Sequence, residues 1–472
     1  MPTKKLTQKD ILNLKKKVLY KPKHVWDVIS EKEKKQIFSF CDSYKQFLNH
    51  AKTERESVQF IESFIKDKGF ELVDTGANRC YTIFNNKCLA VAIKGTAPMT
   101  DGVRLIASHI DSPRLDLKQN PLYEEVNLSL LKTHYYGGIR KYQWLARPLA
   151  IHGRIMRHKG KPLDIVIGEN PDDPVFTIAD LLPHLSRKKQ GNKKINEAIE
   201  GEKLNVLIGG LPIGNEKIKE RFKLNILKIL NDQYDIIEED FMSAELEIVP
   251  AGEARDIGFD RSMIGAYGHD DRVCVFSALK AMCQLSNPKY TAIAIFFDKE
   301  EIGSEGNTSA NSNILELFIS QLMACEENIV TSQSIITCLT KSKALSGDVN
   351  AAIDPDYQDV HEKRNAAKLG FGVCISKFTG HGGKYGSNDA SAEYLSHIRE
   401  IFNKNKIVWQ TGEVGKVDEG GGGTIAKYLA MYGMDIVDCG TPVLSMHSPF
   451  EIASKPDIYM TYKSYLSFWN DK

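Results

Sequence analysis

Apolar residues recur every three or four positions through residues 9–18, 31–51 and 57–68, with lysines and glutamates between them, and this spacing predicts three early helices. The period then shortens. Residues 80–84 and 88–93 flank Asn85-Asn86 and read as a hairpin, and 103–108 is an apolar run suited to a buried strand. From Pro121 to Gly252 the chain offers short β-like runs at 149–156, 163–167, 204–208 and 244–249, with polar loops and one expected helix at 215–230. Afterwards helices are expected at 271–284, 312–324 and 390–402, and strands at 291–297, 371–376 and 436–439. Helices alternating with buried strands predict an α/β fold with a mostly parallel sheet covered by helices on both faces. Residues 1–120 and 253–472 would form this catalytic unit, interrupted by a β-rich insertion at 121–252.

Length and charge narrow the function classes. The chain has 472 residues, more than one ordinary core needs, which fits two units. Lys and Arg number 62 against 61 Asp and Glu, so no polyanion-binding surface is indicated and nucleic acid is not an expected partner. Residues 1–17 are charged and lack the apolar run of a signal peptide, and no stretch approaches the roughly 18 apolar residues of a membrane helix. A cytoplasmic protein without a membrane partner is expected. The nine cysteines are scattered without a CxxC pair, which disfavours a disulfide framework or a zinc knuckle and makes most of them buried small hydrophobes.

Five segments place acidic or imidazole groups next to apolar runs, at the edge where open α/β sheets hold ligands. They are Ser108-His109-Ile110-Asp111, Gly268-His269-Asp270-Asp271, Asp298-Lys299-Glu300-Glu301, Ser346-Gly347-Asp348 and Ser445-Met446-His447-Ser448. Each alone is more often a solvated loop than a site. Together they supply imidazole nitrogens and carboxylate oxygens suited to a zinc pair with open positions. Without a cation, such carboxylates would repel one another. The adjacent Glu300 and Glu301 allow one to bind metal while the other handles protons. Gly420–Gly423 lacks the lysine and spacing of a phosphate loop, and His134, His152, His361 and His381 read as surface or core histidines.

The ordered strings ASHIDSPRLDLK, GHDDRV, FFDKEEIGS, LSGDVNAAIDPDY, KYGSNDASAE and SMHSPFE resemble the motif set of the aspartyl aminopeptidase and vacuolar aminopeptidase I family of dinuclear zinc exopeptidases. The resemblance spans His109 to Glu451. It implies that two zinc ions, replaceable by cobalt or manganese, are held by His109 and Asp348 on one side and by Glu301 and His447 on the other. Asp270, rather than Asp271, would bridge them. Glu300 would be the general base and Asp111 the carboxylate that orients His109. Lys377 and Tyr385 are implied substrate contacts. His184, in Asp180-Leu181-Leu182-Pro183-His184-Leu185, would reach the neighbouring subunit's site. The insertion would then be a dimerisation domain, and the assembly a tetrahedral dodecamer of dimers acting on peptides. A related carboxypeptidase or deacylase, and an inactive scaffold of the same fold, are the competing readings. The motifs leave the preferred N-terminal residue open.

Overall fold

The computed structural model describes residues 7–158, 160–325 and 329–471, so residues 1–6 of the N-terminal stretch lie outside the description. Helix Glu31–His50 starts at a capping box of Ser30 and Glu33, and helix Glu54–Lys66 at one of Thr53 and Glu56, so each first turn satisfies its own N–H groups. Both press apolar stripes against a nine-stranded sheet. In strand Cys88–Ile93, Leu89, Val91 and Ile93 enter one core while Cys88, Ala90 and Ala92 enter the other. A period-two strand with both faces apolar is the mark of a sheet covered on both sides.

The sheet is mixed, and among the described residues five of its eight pairings are parallel. Its centre, Ala292–Phe297, Arg104–His109, Lys343–Ser346 and Asp435–Gly440, is parallel throughout. Arg79–Phe84 and Cys88–Ile93 are antiparallel because Asn85 and Asn86, at φ 51° and 56°, close a two-residue turn that reverses the chain. Val373–Ser376 also runs against Asp435–Gly440.

A second, six-stranded sheet is antiparallel in every pairing and has its own apolar core. Its strands lie between Arg114 and Pro250, and Arg114–Glu125 runs through residue 120 without a break. The helix expected at 215–230 occupies Arg221–Tyr234. Its N-terminus is fixed from a distance: Phe222 and Lys223 N–H donate to Glu124 Oε2 at 2.8 and 3.0 Å. A small third sheet pairs Met263–Ala266 with Glu451–Ser454 and Asn350–Ala351 with Pro442–Leu444, which draws the loops around Asp270, Asp348 and His447 to one edge. No helix among the described residues is long and apolar enough to cross a membrane. Seven of the nine cysteines are buried, as their apolar neighbours suggest.

Candidate metal centre

Three adjacent parallel strands deliver side chains at their carboxyl ends. Arg104–His109 ends in His109, Ala292–Phe297 leads into Glu300 and Glu301, and Lys343–Ser346 leads into Asp348. His109 is 1% exposed. Its Nδ1 lies 3.1 Å from the Asp111 carbonyl and 3.3 Å from Asp111 Oδ1, which turns Nε2 to within 3.2 Å of Asp270 Oδ1. Asp111 also fastens the glutamate turn: Glu300 N–H donates to its Oδ1 at 3.1 Å and Glu301 N–H to its Oδ2 at 3.2 Å. That turn begins at Lys299 and ends at Gly303, both left-handed at φ 69° and 97°.

Asp270 stands at the start of helix His269–Gln284 and faces both imidazoles. His447 Nε2 is 3.2 Å from Asp270 Oδ2 and 3.3 Å from Glu301 Oε2. Two donor groups result, His109 with Asp270 and Asp348, and Asp270 with Glu301 and His447; within each, the ligating atoms lie within 4.8 Å of one another. Asp270 belongs to both. Asp271 belongs to neither, and its Oδ2 accepts from the His109 N–H at 3.4 Å. Glu451, which the motifs did not single out, ties the parts together by accepting from Asp270 N–H at 3.0 Å and His447 N–H at 2.6 Å.

The donors fit a pair of divalent cations. Asp270 Oδ1 and Glu301 Oε1 are buried and accept no hydrogen bond from the chain. Burial, then the surrounding carboxylates, pushes Glu301 and Asp348 well above the ordinary carboxylate range. Burial also opposes ionisation of Asp270, but His109 and His447 outweigh it and hold that carboxyl well below its usual range. Burial, with Asp111 and Asp270 adding to it, raises Glu300 to about 7. The cluster therefore retains protons that cations would displace.

These groups open onto a cavity of about 430 Å³, whose walls include Glu300, Asp348, Gly422 and Asp438. Lys377 and Tyr385 are not among its walls: Lys377 pairs with Asp389 at 3.6 Å, and Tyr385 is 70% exposed. His184 is exposed on the short helix Pro183–Lys189, which buries none of its residues, and within one chain it does not join the cluster.

Comparison with known proteins gives the same picture. The family model described as aminopeptidase I zinc metalloprotease (M18) matches residues 47–469. A probable M18 family aminopeptidase 1 of Clostridium acetobutylicum is 46% identical over 95% of this chain and 98% of its own. The crystal structure of an M18-family aminopeptidase from Thermotoga maritima superimposes with a TM-score of 0.92 at 44% identity, covering 96% of this chain and all of that one. The S. cerevisiae mApe1 dodecamer shares the fold, with a TM-score of 0.73 at 21% identity over 90% of this chain and 95% of its own. With the family model spanning most of the sequence and relatives this similar along their whole length, the chain belongs to the aminopeptidase I family of zinc metalloproteases, M18.

Proposed function

We propose that the chain removes single residues from peptide N-termini with two zinc ions per subunit, cobalt or manganese being able to replace them. The observation that carries this is Asp270, shared by two donor groups beside one unshared glutamate. His109 and Asp348 hold one ion, Glu301 and His447 the other, and Asp270 both. When bound, such a pair supplies Lewis acidity toward a carbonyl and toward water. Glu300 carries the proton: its backbone is pinned by Asp111, its carboxyl faces the cavity, and its raised affinity for a proton suits it to take one from water and return it to the leaving amine. Asp111 keeps His109 turned toward Asp270.

The six-stranded unit serves dimerisation in this reading, and His184 acts on the partner's site. Its exposed, unburied helix supports this, because a seven-residue helix is marginal in water without something to pack against. Lys377 and Tyr385 contact substrate in this reading, from outside the cavity walls. The assembly in this reading is a tetrahedral dodecamer built from dimers that encloses the sites; the S. cerevisiae relative, solved as a dodecamer, supports the number of subunits only. The reading includes a cytoplasmic location.

The test is hydrolysis of a panel of aminoacyl chromogenic substrates after chelation and return of zinc, cobalt or manganese singly. Expected is metal-dependent release from free N-termini and none from acetylated ones. Release from acetylated substrates, or no release with any metal, overturns the reading. Mixing Glu300→Gln with His184→Ala subunits tests the shared site: activity rising well above either parent is expected, and no rise despite verified exchange refutes action in trans.

A further inference from the structure

The two imidazoles of the centre are oriented by different means. His109 is held by Asp111, two residues away on its own loop. His447 is held from the other unit: its Nδ1 meets the carbonyl of Gly138 at 3.1 Å, 309 residues away in sequence. A carbonyl only accepts, so Nδ1 carries a proton, and Nε2 is the nitrogen that faces Asp270 and Glu301 and is free for a cation once its own proton is displaced. The His447 loop needs this support, since Ser445 and His447 both sit at positive φ, 57° and 63°.

Gly138 lies two residues past the end of strand Leu128–Tyr136 of the six-stranded sheet, and its two predecessors also reach the centre. The Tyr136 hydroxyl donates to Asp111 Oδ2 at 2.8 Å, the same oxygen that receives the Glu301 N–H. A Cβ on Gly137 would lie 3.3 Å from the Glu301 Cβ, and one on Gly138 would lie 3.1 Å from His447 Nδ1. Tyr136 is in turn clamped: the Arg114 guanidinium lies 4.0 Å from its ring centre, and Arg114 pairs with Glu54 at 3.3 Å and Glu247 at 3.2 Å. One short segment thus touches the supports of Glu301 and of His447; it reaches the other position only through Asp111, which also holds His109.

We infer that Tyr136-Gly137-Gly138 is a positioning strap by which the six-stranded unit sets the affinity of the second metal position, that of Glu301 and His447. This rests on the two-metal reading. The strap acts through His447 and Asp111 and touches no reacting atom.

The experiment is zinc titration of the full-length protein against a chromophoric chelator. Wild type should take up two ions in two steps. Gly138→Ala places a methyl against His447 Nδ1 and should weaken one step about 10–100-fold, the usual effect of removing a ligand's outer support, with the other step unchanged. Its activity at limiting zinc should fall and return at excess zinc. Tyr136→Phe removes one oxygen, keeps the ring over Arg114, and should weaken the same step toward the lower end of that range, with a smaller effect on the other step because Asp111 also holds His109. It decides the matter if Gly138→Ala does not fold. Two unchanged steps in folded Gly138→Ala, or in Tyr136→Phe when only that variant folds, overturn the strap. So does equal weakening of both steps. Fewer than two ions in the wild type overturns the two-metal reading instead.

Discussion

Two clusters of buried carboxylates lie on either side of Tyr136, and they are neutralised differently. At the junction of the two units, Glu54 and Glu247 face Arg114, and Glu54 also faces Lys87 at 3.3 Å. Burial works against ionisation there; Arg114 and Lys87 hold Glu54 down to about 2, whereas burial, with Glu54 and Asp116 adding to it, keeps Glu247 well above its usual range despite Arg114. In the cavity, among the described residues, only histidines pair with Asp270 and Glu301. Burial there drives Glu300 up to about 7. A cluster that the chain supplies with its own cations is structural. A cluster left unmatched is built to receive a cation, and the contrast holds only if the two respond oppositely to the same perturbations.

The largest difference should come from Asp270→Ala. Because its carboxylate serves both donor groups, both ions and essentially all turnover should be lost, whereas His109→Ala should chiefly empty one position. Elemental analysis of dialysed protein measures this. Two ions retained by Asp270→Ala but lost by Asp271→Ala would reverse the assignment between these neighbours. Glu300→Gln should keep both ions and still lower kcat by about 10²–10⁴-fold, because it removes only the proton carrier. Near-normal turnover at full metal content would show that another group moves the proton.

The sequence exposed the cavity cluster better than the junction cluster for a physical reason. His109, Glu300, Glu301 and Asp348 directly follow apolar strands, so each is a polar interruption in a legible pattern. Tyr136 and Arg114 end and begin ordinary alternating strands, and their meaning arises from pairings with Asp111, Glu54 and Glu247 that only the fold creates. The unit boundary was blurred likewise. Asn120-Pro121 looks like a break, but the strand continues past it through an irregularity in register between Leu117 and Leu122, a place where a proline without an N–H is tolerated. The C-terminal helix Lys455–Trp469 escaped because it is buried nearly all round, with Lys455, Asp457, Thr461 and Ser464 inside, so no apolar stripe marks its period; Trp469 is buried and donates to the Arg104 carbonyl at 2.9 Å. Lys377 and Tyr385 belong to a glycine-rich loop whose path no periodicity encodes.

Next in size is the effect on stability. Arg114→Met leaves Glu54 and Glu247, 1% and 4% exposed, without their shared cation, and should cost about 3–5 kcal/mol in urea unfolding. The cavity should show the opposite sign. With chelator present, Glu301→Gln removes a carboxylate whose proton affinity is already raised by burial and by Asp270, so the urea midpoint should rise. If both substitutions destabilise the chelated protein equally, the clusters do not differ in the way described.

The smallest effect is a slope, and it tests the contrast without any substitution. In the chelated protein, burial and neighbouring carboxylates raise Glu300 from 4.5 to about 7 and Glu451 from 4.5 to about 8. Both groups bind protons more tightly folded than unfolded, so their contribution to stability is complete below about pH 4.5 and is lost as pH rises toward 8. His109 and His447, raised by their carboxylate neighbours against the effect of burial, act in the same direction. Each net proton taken up on folding corresponds to about 1.4 kcal/mol per pH unit. At the junction Glu54, held down to about 2, has finished titrating before this window, while Glu247, raised by burial, adds to the fall with or without zinc, so the zinc-dependent gain is the part that belongs to the cavity. Zinc should reverse the sign, because ligands must release protons to bind it, so its stabilisation grows with pH. Urea midpoints measured between about pH 5.5 and 7.5 should therefore fall in chelator, with the gain from saturating zinc widening steadily. A gain that is constant across that range would mean that binding releases no protons, and that the raised proton affinities of the cavity have nothing to do with its cations.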